Sequence, residues 1–250
     1  LKKQIAFNPD RPMKNPIFLR SLGLLAVLLF LVSACSRDYD LDPYEEVTDT
    51  FAAADFDRLD VGGTLRLNVR PGSFFRVVAH GDRRDLNDLR VERSGGTLFI
   101  GYRTPRANRY ETQLDITMPY LRAARITGAS TGQIGNFNTL DELDLDLSGA
   151  SQLTFAGTAD LLYADLAGAS ELFLEGSAYE LSVGLTGASY LDAFDFSVQE
   201  AIVEAGGASQ ALVRASRTLA VRAAGASSVR FRGNPVLTTQ LSGGSTVRRD

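Results

Sequence analysis

The sequence predicts an all-β protein whose larger part is a parallel β-helix, a β-solenoid of about 18–21-residue repeats, preceded by a capping β-layer. Three observations carry this. Seven near-copies of one tripeptide recur every 18 to 21 residues: Gly128-Ala129-Ser130, Gly149-Ala150-Ser151, Gly168-Ala169-Ser170, Gly187-Ala188-Ser189, Gly207-Ala208-Ser209, Gly225-Ala226-Ser227 and Gly243-Gly244-Ser245. A period near twenty marks units that bury their apolar faces only by stacking on one another. Around each copy apolar and polar residues alternate, which is the period of a strand with one buried face. Trp is absent and Gly is frequent, as thin stacked coils require.

Residues 1–34 read as a signal peptide. Arg11, Lys14 and Arg20 precede an apolar run from Leu22 to Val32, then Ser33, Ala34 and Cys35 follow. That run is shorter than the roughly 20 residues a spanning helix needs. Met13-Lys14-Asn15 opens an ordinary n-region, so the start of the protein is expected at Met13. Val32-Ser33-Ala34-Cys35 resembles the lipobox of bacterial lipoproteins, in which the Cys becomes the lipid-modified first residue. Cys35 is the only Cys, so a disulfide within the chain is excluded and lipid attachment is its predicted role. Residues 35–50 then read as the lipidated Cys and an acidic tether, rich in Asp38, Asp40, Asp42, Glu45, Glu46 and Asp49.

Residues 51–121 read as strands without the corner motif. Leu65, Leu67 and Val69 alternate with Arg66, Asn68 and Arg70; Phe75, Val77, Val91, Leu98, Ile100, Leu114, Ile116 and Met118 continue the pattern. Turns are expected at Pro71-Gly72, Gly81, Gly95-Gly96 and Pro105. This region is expected to begin the solenoid and cover its first rung, because an open end exposes an unpaired strand edge. No segment shows sustained helical periodicity.

Residues 122–250 form the repeats. Six, four and two residues before the Gly stand Leu162, Ala164 and Leu166, then Leu181, Val183 and Leu185, then Ala201, Val203 and Ala205. Four and six residues after it stand Leu153 and Phe155, then Leu172 and Leu174. The tripeptide is a corner. With an identical turn one rung away, about 4.8 Å, side chains have little room and φ > 0 is favoured, conditions that Gly meets. Each Ser is expected to bond nearby backbone or the next Ser, as a structural column without a catalytic base.

Among chemistry-bearing groups, Asp146, Asp165 and Glu204 share one repeat position, with Asp144 beside them. Such a column reads as a solvated polar face; calcium binding or acid/base catalysis are the sharper alternatives. His80, the lone His, lies in an expected Gly-flanked turn and reads as a loop residue and not as a general base. No catalytic, cofactor-binding or metal residues are assigned. Thr127 to Val213 contains no Lys or Arg, whereas Arg214, Arg217, Arg222, Arg230, Arg232, Arg248 and Arg249 face only Asp250. A contiguous basic patch on the terminal rungs would suit an anionic polysaccharide or another envelope component. The net charge of −4 argues against nucleic acid.

Phe56-Asp57-Arg58-Leu59-Asp60-Val61-Gly62-Gly63, Ile116-Thr117-Met118-Pro119-Tyr120-Leu121 and the corner series through Phe231-Arg232-Gly233-Asn234-Pro235 resemble the GIN-domain family of auto-transporter adhesin heads, common among lipoproteins of Bacteroidetes. The similarity runs from roughly Phe56 to Arg249. It implies a parallel β-helix-like fold and an adhesin-like role, and it brings no catalytic residues. The expected function is a non-enzymatic cell-envelope lipoprotein, an adhesin-like binding or structural module held by its lipid in the outer membrane and facing either the periplasm or the cell surface. The alternative is a carbohydrate-active enzyme, a lyase or hydrolase, on the same scaffold.

Overall fold

The computed structural model describes residues 44–250. Cys35 and the segment read as a signal peptide lie outside the described residues. In chain order the elements are β1 (Glu46–Phe51), β2 (Arg58–Gly63), β3 (Leu65–Pro71), β4 (Arg76–Asp82), α1 (Arg83–Asp88), β5 (Leu89–Ser94), β6 (Thr97–Tyr102), β7 (Thr112–Met118), β8 (Ala123–Gly128), β9 (Thr131–Leu147), β10 (Gln152–Leu166), β11 (Glu171–Leu185), β12 (Tyr190–Ala205), β13 (Gln210–Ala223), β14 (Ser228–Arg232), β15 (Val236–Leu241) and β16 (Thr246–Arg249).

From β8 onward the chain is a parallel β-solenoid of about seven turns. Each of β9 to β13 starts at one corner, runs up one face, bends, and returns down the other face. The register is repetitive: Leu162 stacks on Leu143, Leu181 on Leu162 and Ala201 on Leu181. The alternating apolar positions point inward, so Leu153, Phe155, Leu172, Leu185 and Val203 are all buried. Phe155 and Phe196 meet edge to face in this core, with centroids 6.4 Å apart.

The Gly-Ala-Ser tripeptides form the first corner, and the reason is geometric. The carbonyl of each Gly points along the axis and accepts from the Ala amide of the next coil, as in Ala188 N to Gly168 O at 2.7 Å. Gly168 adopts φ +80°, and a Cβ there would lie 2.6 Å from the Gly149 carbonyl oxygen. The corner series extends backwards to Gly63, whose carbonyl accepts from Ala129 N at 2.8 Å. The Ser column is buried and bonds backbone rather than the neighbouring Ser. Ser170 Oγ lies 3.0 Å from Ala167 O and 3.3 Å from Leu147 O. Because Leu147 O also accepts from Ala167 N, Ser170→Ala leaves that carbonyl satisfied. The expected loss is therefore about 1 kcal/mol in chemical denaturation, the net value of one hydrogen bond.

The region before the repeats is a mixed β-layer. β2 and β3 form a coil that pairs in parallel with β8 and the start of β9, and β6 and β7 stack in parallel on its other side. Later residues thus lie further out than earlier ones, and sequence order becomes axial order only from β8 onward. The end is closed by antiparallel strands, β4 on β7, β1 on β4 and β5 on β6.

Several local expectations change here. Glu46 to Thr50, read as tether from their acidity, pair with β4 as part of β1. His80 and Gly81 lie within β4 rather than in a turn. A short helix, α1, is present; Asp82 caps it by accepting from Arg84 N at 3.0 Å. Burial of Asp82 alone would raise its pKa, yet bonds from Glu45 N and the Arg84 side chain and amide together lower it. At the other end β15 and β16 form the last coil, leaving Val236, Leu237 and Leu241 exposed. Asp250 joins Arg232 Nε at 2.9 Å and also bonds Arg230 there.

Candidate functional site

The second bend of each coil builds a furrow along the solenoid. Its floor is a stack of small, buried side chains, Ala159, Ala178, Val198 and Ala215, which face one another across successive coils. Flanking positions carry larger polar groups, so the short floor leaves a groove of about 1010 Å³. One wall is a row in register, Thr158, Ser177, Ser197 and Arg214. The opposite wall holds Asp141, Asp160, Tyr179, Gln199 and Ser216. At about 4.8 Å per coil, the row from Thr158 to Arg214 spans roughly 15 Å.

Tyr179 is the aromatic residue of that wall. It is 42% exposed, so its ring remains available to a ligand. Arg217 Nη1 donates to its hydroxyl oxygen at 3.1 Å, and the hydroxyl donates to Glu200 Oε1 at 3.2 Å. Arg217 and Glu200 are themselves paired at 3.1 Å. A three-group network thus fixes an exposed aromatic plane beside the furrow.

The sequence-selected residues fall elsewhere. Asp146, Asp165 and Glu204 do share one column, interrupted by Gly184, whose added Cβ would lie 2.5 Å from Asp165 Oδ1. Asp146 is paired with Arg125 at 2.9 Å, and Glu204 with Arg222 at 2.6 Å. Asp144, one column over, has a raised pKa, first from burial and then from Glu142 and Asp165, opposed by Arg58. Among the described residues no three His, Cys, Asp or Glu side chains come together as a metal site. His80 accepts or donates at Nδ1 with Thr48 Oγ1 at 2.9 Å, and its Nε2 lies 3.4 Å from Asp115.

The terminal arginines do not form one patch. Arg214, Arg230, Arg232 and Arg248 lie on strands of one face, whereas Arg222 lies on the other and Arg217 at the bend between them. Arg217, Arg222, Arg230 and Arg232 are each engaged by a carboxylate. Arg232 also stacks 3.9 Å from the Phe194 ring centre.

The furrow itself was not selected from the sequence. Its signal was present as Gly157-Thr158-Ala159 and Gly176-Ser177-Ala178, each eight residues after a corner Gly. It fades in the next coil, where Phe196-Ser197-Val198 replaces the small residues at both ends.

Fold and furrow together define a two-faced parallel β-solenoid with a polar groove along one edge. Residues 55–235 match the family described as "Putative auto-transporter adhesin, head GIN domain", and the chain belongs to that family. A "putative adhesin" from Bacteroides fragilis has a solved structure with TM-score 0.75 and 19% identity, over 82% of this chain and 97% of that one. A "putative adhesin" from Parabacteroides merdae gives TM-score 0.68 and 16% identity, over 82% and 96%. A "Putative lipid binding protein" from Parabacteroides distasonis gives TM-score 0.66 and 17% identity, over 82% and 96%. These likenesses establish a common fold. None of the curated proteins matches the chain.

Proposed function

We propose that this chain is a non-enzymatic, adhesin-like binding module of the bacterial cell envelope, tethered through a lipid on Cys35. The observation that carries the reading is the furrow: a long, pre-formed groove whose Ser177, Ser197, Gln199 and Asp160 side chains have no hydrogen-bond partner within the described protein. Such groups on a scaffold held by continuous ladders are free to meet a ligand without reorganisation. Membership of the adhesin-head family supports the same reading. Against the enzyme alternative, two carboxylates of the acidic column are already neutralised by arginines.

The Cys35 part of the proposal rests on the lipobox-like quartet. With β1 beginning at Glu46, the ten residues 36–45 reach at most about 36 Å. Cys35→Ser is expected to move the full-length protein from the membrane to the soluble fraction and to abolish labelling by a fatty-acid analogue. Each buried CH₂ contributes about 0.8 kcal/mol, more than an acidic segment can replace. Unchanged membrane partition would refute the anchor.

The binding reading is tested by adhesion of cells displaying the protein to glycan-coated surfaces, with release of reducing ends assayed in parallel. Adhesion without cleavage is expected; cleavage abolished by Asp144→Asn would establish the enzyme instead.

A further inference from the structure

Resting on the binding reading above, we propose that the furrow takes an extended neutral glycan, with one sugar ring stacked on Tyr179 and successive hydroxyls met by Thr158, Ser177 and Ser197. Four features of the groove choose this ligand class. The first is spacing. Parallel in-register strands place the three hydroxyls in a straight row at about 4.8 Å intervals, a repeating pattern that suits a repeating polymer. Ser177 and Ser197 each offer a donor and acceptors, and Thr158, whose Oγ1 already accepts from Thr139 N at 2.8 Å, still offers its O–H, so the row can serve sugar hydroxyls of either orientation.

The second feature is the fixed aromatic. A sugar ring presents C–H groups on its face and hydroxyls around its rim. Tyr179 presents an exposed ring face, with polar groups at its edge locked by Arg217 and Glu200. An apolar plane bordered by hydrogen-bonding groups matches that division of surface.

Charge supplies the third. Along the furrow, Asp141 and Asp160 stand at one end and Arg214 at the other. A uniformly charged polymer long enough to fill the groove would be attracted at one end and repelled at the other. A neutral chain meets both ends as hydrogen-bonding partners.

The fourth feature excludes other extended ligands. The ladders of β10, β11 and β12 run to the coils above and below and skip only single residues at the bend, Asp160, Tyr179 and Gln199, so no continuous free strand edge faces the furrow for a peptide to join. An acyl chain would leave the polar walls without partners.

The test uses the full-length protein in detergent and an array of cellohexaose, xylohexaose and mannohexaose. At least one is expected to bind. Tyr179→Ala should weaken that binding about tenfold or more, in the range of an aromatic anchor. Ser197→Trp, which fills the furrow from an exposed position, should abolish it. Tyr163→Ala, an exposed aromatic on a sheet face outside the furrow, should leave it unchanged. Far-ultraviolet circular dichroism and thermal midpoints would show that all three variants remain folded. Binding of a hexaose that survives both furrow variants, or falls equally with Tyr163→Ala, overturns the proposal. If cells displaying the protein adhere to a surface and none of the hexaoses binds, the glycan proposal fails while the adhesin reading stands. If neither adhesion nor hexaose binding occurs, both fail.

Discussion

Gly168→Val is expected to lower stability by about 4 kcal/mol or more, at the exceptional end of single substitutions. Gly168 holds φ +80°, where a β-branched residue is strained by roughly 1 to 3 kcal/mol. Any Cβ there would also sit 2.6 Å from Gly149 O. That oxygen cannot turn away, because it accepts from Ala169 N at 2.7 Å and belongs to a ladder repeated in the coils on both sides. Strain and clash therefore add, and neither relaxes locally. Gly135→Ala is the matched control: an added Cβ there meets nothing within 4 Å, and its φ is not positive. It should stay within about 0.5 kcal/mol of wild type, as should Asp165→Asn on the exposed face. Urea denaturation monitored by circular dichroism measures all three. Equal midpoints for Gly168→Val and wild type would mean that the corners do not stack as described.

The same corners show why so much of the fold was legible. In a solenoid the contacts of one coil are the contacts of the next, so each local pattern is written several times and chance matches are averaged out. The inward positions Leu143, Leu162 and Leu181 were readable as one column for this reason. The layer before the repeats lacks that redundancy. The stacking of β6 and β7 outside β2 and β3 depends on pairings between segments written only once. The acidic residues of β1 made it resemble a tether, although its partner β4 is the element that orders it.

Side-chain clustering was harder still. Arg214, Arg217 and Arg222 are neighbours in sequence, yet the bend within β13 sends them to different faces. Proximity along the chain therefore predicted a patch that the coil geometry divides. The reverse holds for the furrow, where Thr158, Ser177 and Ser197 lie about a coil apart in sequence and adjacent in space. Only the coil length, applied to the second bend as well as the first, would have brought them together.

The second large effect is expected at Arg109, in the segment between β6 and β7 and far from the furrow in sequence. Its guanidinium reaches Asp85 Oδ1 at 2.8 Å and Thr104 O at 2.6 Å, also bonds Asp88, and lies 3.6 Å from the Tyr102 ring centre. The side chains of Arg109 and Asp85 are only 6% and 5% exposed, so water cannot take over when one is removed. Arg109→Leu keeps bulk but leaves Asp85 buried without its cation. Breaking a buried pair in this way costs about 3 to 5 kcal/mol. Arg109→Leu combined with Asp85→Asn and Asp88→Asn should recover part of the loss, because the uncompensated charges are gone. The pH dependence separates this account from simple loss of packing. Asp88 is held below the ordinary carboxylate range, first by the Thr104 hydroxyl and then by Arg109. A carboxylate with a depressed folded pKa contributes stability above its unfolded pKa, about 3.9, and loses it as pH falls through the folded value. In wild type, stability should therefore decline as the pH drops below about 4. In Arg109→Leu the Asp88 carboxylate no longer has that cation to hold it ionised, so the deficit relative to wild type should narrow over the same range. Urea midpoints of both proteins from neutral to acidic pH measure this; a deficit that stays constant with pH would assign the effect to packing and not to charge.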